Sequence, residues 1–125
     1  MGLNFTRYIL IVATILMPVL AEAAQPFDTK SFAEAQADGK SILVEVTAPW
    51  CPTCEKQKPI IQGLEAEQPN LVVFSVDFDS AKDTLKRFRV QNQSTLIVFK
   101  GSTEIGRSTG QTDPKVIQAL VAKGL

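Results

Sequence analysis

The only two cysteines of this 125-residue chain stand in the segment Trp50-Cys51-Pro52-Thr53-Cys54. They follow an apolar run, Ile42-Leu43-Val44-Glu45-Val46, and a turn, Ala48-Pro49-Trp50. Two thiols at this spacing at the start of a helix can close and reopen a disulfide. A thiolate there faces unpaired backbone N–H groups and the positive end of the helix dipole, so its pKa falls. Such a sulfur is both a usable nucleophile and a good leaving group, which is what thiol-disulfide exchange needs. A purely structural bridge is the weaker reading. The chain-entropy model gives so small a loop only about 2 kcal/mol, against roughly 3 for a 15-residue loop.

The elements around the pair follow from hydrophobic periodicity and turn chemistry. Phe27 to Gly39 reads as a short helix closed by a glycine. Ser41 to Thr47 reads as a strand buried on both faces. Cys51 opens a helix that runs to about Gln68, with Pro52 at the first helical position, Ile60, Ile61 and Leu64 as its apolar stripe, and a kink at Pro59. Leu71 to Asp77 is a second strand, and Asp79 to Phe88 a helix carrying Leu85 and Phe88 inward. Thr95 to Lys100 is a third strand, turned at Gly101-Ser102-Thr103 into a fourth, Glu104 to Ser108. Thr112-Asp113-Pro114 caps a last helix expected to bury Val116, Ile117, Leu120 and Val121. A βαβ unit followed by a hairpin and a helix implies an α/β fold: a mixed sheet of four strands, or five, flanked by helices on both faces. The cysteines then fall at the C-terminal end of the first long strand, where α/β sheets usually place their sites.

Composition bounds the rest. Lysine plus arginine and aspartate plus glutamate number 13 each, histidine is absent, and no basic block occurs, so no nucleic-acid partner is expected. Arg7, the apolar run Tyr8 to Leu20 and the small residues of Ala21-Glu22-Ala23 form the pattern of a secretory signal. Residues 1–23 are therefore expected to be a cleaved export signal, with a membrane anchor as the alternative, and residues 24–125 the folded domain. A run of thirteen residues is short for a span of about 20.

With these residues in place, the chain resembles the thioredoxin family over essentially Phe27 to Leu125. The resemblance is carried by Ile42 through Cys51, by Pro59 five residues after Cys54, by Thr95 through Lys100 followed by glycine, and by Gly110 ahead of the last helix. It implies the thioredoxin-like fold, a thiol-disulfide oxidoreductase without a cofactor beyond the Cys51-Cys54 disulfide, and protein thiols or disulfides as partners. It also implies a location in the periplasm, a membrane thiol reductase as electron donor, and a monomer. Cys51 is the expected nucleophile, near the surface beside Trp50. Cys54 is expected to be more shielded and to resolve the mixed disulfide. Pro52 and Thr53 tune the potential. They are expected, with Trp50 and the loop residues Gln93, Ser94 and Thr95, to meet the substrate.

Three positions depart from the family pattern. Ser94 stands where the family has a cis-proline. A cis peptide before a non-proline residue costs about 3 kcal/mol, so a trans bond, or a strained one held by tight surroundings, is expected. Glu45 stands where the family has a buried aspartate beneath the second cysteine, and is expected to accept the Cys54 proton. Ser75 replaces a lysine that often accompanies that aspartate, leaving Glu45 without a cationic partner.

Two other readings stay open. One is soft-metal delivery: copper(I) needs only two or three soft ligands, whereas zinc usually wants four. The other is a non-catalytic binding module that uses the Gln91 to Thr95 loop. Lys82, Lys86, Arg87 and Arg89 read as a solvated helix face, and Asp77 and Asp79 as solvated strand-end carboxylates.

Overall fold

The computed structural model describes residues 24–125. The expected export signal, residues 1–23, lies outside the described residues. The elements run β1 (Gln25–Pro26), α1 (Thr29–Ala37), β2 (Ser41–Thr47), α2 (Pro52–Glu67), β3 (Leu71–Asp77), α3 (Lys82–Phe88), β4 (Thr95–Lys100), β5 (Thr103–Thr109) and α4 (Pro114–Ala122). The sheet has five strands in the order β1-β3-β2-β4-β5. β2 is its centre, parallel to β3 and antiparallel to β4. That position explains why Ile42, Leu43 and Val44 are wholly buried: each face of the central strand is covered by helices.

The strand not expected from sequence is β1. It is two residues long, pairing Gln25 with Phe74 and Pro26 with Ser75. Nothing in a Gln-Pro dipeptide signals a strand. The edge of β3 recruits it, and Pro26 is tolerated because edge strands tolerate a missing donor. The first helix is also shorter than its apolar pattern suggests. Asp28 caps it by accepting the Ser31 N–H at 2.8 Å, so Phe27 is left outside. Similarly Asp77 Oδ1 accepts N–H groups of Asp79 and Ser80, both at 2.9 Å. That turn delays α3 to Lys82.

The two faces have different cores. On one, α1 and α3 cover a cluster that includes Phe32, Phe74, Phe88 and Phe99, with Phe27 packed against it. Their rings meet mostly edge-on at centroid separations of 5.2–5.9 Å. On the other, Ile61 and Leu64 of α2 meet Ile117, Leu120 and Val121 of α4 over Leu43, Val73, Leu96 and Val98. Val116, expected inside, is 45% exposed. The Asp113 cap and Pro114 set the phase of α4, and that phase gives the buried stripe to residues 117, 120 and 121. Arg87, expected to be only solvated, lies over the rings of Phe27, Phe32 and Phe88 at 5.5–5.9 Å.

Candidate functional site

Cys51 and Cys54 are joined in a disulfide at the point where β2 hands over to α2. Cys51 is the N-cap of α2: its backbone is extended, its C=O accepts the Glu55 N–H at 3.2 Å, and its Sγ accepts the Cys54 N–H at 3.1 Å. The sulfur thus takes the place of the usual cap oxygen. A hydrogen bond into Sγ, at the positive end of a 16-residue helix, favours the thiolate over the thiol. Pro52 fits the first helical position because no N–H is needed there. The α2 helix continues through Pro59 to Glu67.

Cys51 is not the surface residue expected from sequence. It is 1% exposed and Cys54 7%, so Cys54 is not, against expectation, the more shielded of the pair. The cap geometry turns Sγ back over the helix start, and the two cysteines cluster with Ala48, against which Phe78 packs. The exposed apolar group beside them is Trp50, 55% exposed. Its Nε1 donates to Asp79 Oδ2 at 2.8 Å, and its ring stands edge-on to Phe78 at 6.3 Å. Asp79 is therefore a positioning group for Trp50 rather than only a solvated carboxylate, a role with no signal in local sequence.

The Ser94 loop sits against the same strand end. All peptide bonds of the described residues are trans, and Ser94 instead adopts the left-handed region at φ 57°. That conformation costs a non-glycine residue about 1–2 kcal/mol and persists where the surroundings fix it. They do so here. The Ser94 N–H donates to Val46 O at 2.7 Å, and its C=O accepts from Gln57 Nε2 and from the Gly110 N–H, both at 3.1 Å. A proline at this position could not make the first of those bonds. Cys54 Sγ lies 3.9 Å from the same Val46 O, so the loop and the disulfide share one strand end. Ser94 and Thr95 are buried and Gln93 half-buried. Thr95 spends its hydroxyl on Asn92 O at 2.8 Å and Thr109 Oγ1 at 3.0 Å. Pro52 is exposed and Thr53 half-buried.

Gln57 escaped the sequence reading. It is 3% exposed, and its Nε2 also donates to Gln111 O at 2.9 Å. A single amide thus ties α2 to both the Ser94 loop and the segment before α4. The available signal was its position three residues after Cys54, a polar residue on a face that must be buried.

Glu45 is half-buried, in register with Ser75 of β3. Both line a cavity of about 360 Å³ together with Cys54, Lys58 and Glu65. Burial pushes the Glu45 carboxyl above its ordinary range, while Lys58 and the Ser75 hydroxyl pull it down. The expectation that Glu45 lacks a cation is thus corrected: α2 supplies Lys58, one turn beyond Cys54, in place of a strand lysine. Glu65 is pushed up to about 7, first by burial and then by the Glu45 charge, with the Ala24 N–H opposing.

The arrangement holds a helix-capping sulfur, a second sulfur one turn along, and a carboxyl with raised proton affinity in the cavity that the second sulfur also lines. The thioredoxin family profile matches residues 22–123. The chain is 32% identical over 99 residues to thioredoxin of Chlamydia trachomatis, covering 79% of this chain and 96% of that one. It is 29% identical over 97 residues to thioredoxin-1 of Saccharomyces cerevisiae, covering 77% and 94%. Among solved structures, Trxlp of Edwardsiella tarda EIB202 is similar with a TM-score of 0.75 at 40% identity, covering 79% of this chain and 98% of that one. A thioredoxin of Halobacterium salinarum shares the fold at a TM-score of 0.72 and 19% identity. Profile, relatives and the Cys51-Cys54 geometry agree: this chain belongs to the thioredoxin family and is a thioredoxin-type thiol-disulfide oxidoreductase.

Proposed function

We propose that this oxidoreductase is exported to the periplasm and there reduces or interchanges protein disulfides through Cys51-Pro52-Thr53-Cys54. The observation that carries the reading is the Cys54 N–H donated to Cys51 Sγ at 3.1 Å, a donor that would stabilise a Cys51 thiolate once the disulfide opens. Cys51 attacks a substrate disulfide, and the substrate's other sulfur leaves with the electron pair. Cys54 then gives its proton to Glu45 and attacks Cys51 Sγ. The Cys51–substrate bond breaks, and the substrate leaves with both its sulfurs reduced.

Trp50, Pro52 and Thr53 form the rim that meets the substrate. Gln93 is the docking residue of the facing loop, since the backbone groups of Ser94 are already bonded within the chain. The reducing direction is supported by the residues between the cysteines. Neither Pro52 nor Thr53 brings a cation to stabilise the thiolate as strongly as a histidine would. Export is supported by Arg7, the apolar run and Ala21-Glu22-Ala23. In that compartment electrons have to cross the membrane, so a membrane thiol reductase is the donor class. A monomer suffices, because every reacting group comes from one chain.

The test uses two variants. Cys51→Ser is expected to abolish reduction of insulin disulfides. Cys54→Ser is expected to accumulate covalent mixed disulfides with partner proteins, visible on non-reducing gels. Fractionation of cells should find the chain in the periplasm with Ala24 at its N-terminus. Full activity of the Cys51→Ser variant would sink the exchange mechanism, and a cytoplasmic chain that retains residues 1–23 would sink the export reading.

A further inference from the structure

Ser94 stands at φ 57°, a conformation that a non-glycine residue keeps only where its surroundings fix it. Here it fixes the place of one N–H. The Ser94 N–H donates to Val46 O at 2.7 Å, while the Ser94 C=O is clamped by Gln57 Nε2 and the Gly110 N–H, each at 3.1 Å. Ser94 is 5% exposed, so little water competes for these bonds. The same Val46 O lies 3.9 Å from Cys54 Sγ. In the disulfide no proton stands between them. Once the bond opens, Cys54 becomes a thiol in a place almost closed to water, and Val46 O is a backbone acceptor to which its S–H can point. A backbone amide and the resolving sulfur therefore share one carbonyl oxygen.

We propose that Ser94 is a positioning residue for the resolving step: its N–H, by engaging Val46 O, weakens the hold of that carbonyl on the Cys54 proton and favours the Cys54 thiolate. The proposal rests on the exchange reading above. Two effects act in the same direction. An oxygen that already accepts an N–H at 2.7 Å is a poorer acceptor for a second, weaker S–H donor. After ionisation the sulfur faces the negative end of the Val46 C=O dipole, and the N–H on the same oxygen offsets part of that repulsion. In the step itself the Cys54 Sγ proton passes to Glu45, across the cavity that both residues line. The freed electron pair forms the bond to Cys51 Sγ, the Cys51–substrate bond breaks, and the substrate sulfur leaves with that bond's electrons. Ser94 exchanges no proton and acts only through Val46 O. The charged groups that line the cavity with Cys54 are Glu45 of β2, Glu55, Lys58 and Glu65 of α2, and Asp77 at the end of β3. They are common to every chain compared below, so a difference between those chains reports the amide.

The test follows Cys54 as the sole thiol of the full Cys51→Ser chain, by the ultraviolet absorbance of its thiolate as pH is raised. Two further chains add a change at position 94. Ser94→Gly keeps the N–H and takes φ 57° without steric cost, whereas Ser94→Pro has no N–H and cannot take that φ. Proline should raise the Cys54 midpoint by about half a pH unit, a roughly threefold loss of thiolate at neutral pH. Glycine should leave the midpoint in place. In chains that keep Cys51, Ser94→Pro should resolve a Cys51 mixed disulfide with thionitrobenzoate about threefold more slowly at neutral pH. Because proline also reshapes the loop, a chain assembled by ligation replaces only the Gln93–Ser94 amide with an ester. It keeps the serine side chain, removes the N–H, and should shift the midpoint in the same sense. Equal Cys54 midpoints in the ester and amide chains overturn the proposal. So does a midpoint that glycine raises as far as proline, because the N–H is then not the cause. A wild-type chain that reduces no insulin disulfide sinks the exchange reading instead, and the Cys54 midpoints still decide whether the amide acts on that sulfur.

Discussion

The chemistry of the site rests on a few atoms whose neighbours set their protonation. Cys51 Sγ is the acceptor that caps α2, so its charged form is the one the backbone favours. Cys54 has no comparable donor, and in the proposed mechanism its proton passes to Glu45, a carboxyl raised by burial and moderated by Lys58. Replacing Glu45 with glutamine keeps the shape and removes the base. Exchange at neutral pH should slow by about 10²-fold, the lower end of what a general base supplies, because the cavity lets water substitute in part. Steady-state insulin reduction at pH 7 measures it, and an unchanged rate would show that Cys54 needs no carboxyl. The cysteine pair, Glu45 and the exceptional Ser94 were all legible in sequence, since each is a residue type with a distinct chemistry at a distinct spacing. Lys58 and Asp79 were not, because what matters about them is a neighbour distant in sequence. The burial of Cys51 was misjudged for a related reason: a cap position fixes where the backbone lies, but tertiary neighbours such as Phe78 decide how much water reaches the sulfur.

Among the elements, α2 does the most to assemble the site. Its N-terminus presents Cys51, its first turn Cys54, and Gln57 bonds to the Ser94 and Gln111 carbonyls. Replacing Gln57 with leucine fills similar space but leaves two carbonyls without that donor. A loss of about 1–3 kcal/mol is expected, read as a lower urea midpoint with an unchanged slope. The Ser94 loop, which retains its bond to Val46, should loosen and exchange its amide protons faster. A midpoint equal to the wild type would mean that water replaces both bonds without cost. The bounds of β2, β3 and β4 match those read from sequence, because buried strands are continuous apolar runs between breakers. β1 and the true start of α3 could not be read in the same way. A two-residue edge strand is created by the edge it joins, and the Asp77 turn takes its first residues from what looks like a helical run.

At the scale of the molecule, the cavity carboxyls and the surface caps pull stability in opposite directions with pH. Glu65 rises from an ordinary value of 4.5 to about 7 on folding. The folded state therefore binds that proton more tightly than the unfolded chain does. Its contribution is complete below about 4.5 and is lost as pH rises through about 7. Glu45, also raised, acts in the same sense. Asp28 and Asp77 are held below 3.8 chiefly by the Ser31 and Ser80 N–H groups, so their contribution is present above that value and fades as pH falls through their lowered pKa. Urea midpoints of a chain extended before Ala24, so that Ala24 keeps its amide, should thus decline from pH 5 to pH 8, and Glu65→Gln should flatten the decline. Because Glu65 is half-exposed, the change is smaller than a fully buried carboxyl would give. A midpoint that rises over this range would contradict the assignment. The function itself turns on whether the Cys51-Cys54 bond opens and closes reversibly within the intact fold. The most direct measurement equilibrates the full chain in glutathione buffers of stepped ratio, quenches with acid, alkylates free thiols and counts them by mass. The expected result is one reversible transition in which both thiols appear together, at a potential more reducing than that of strong oxidants. A pair that stays oxidised or stays reduced across the whole series, or that reaches different populations when approached from the two directions, would contradict it.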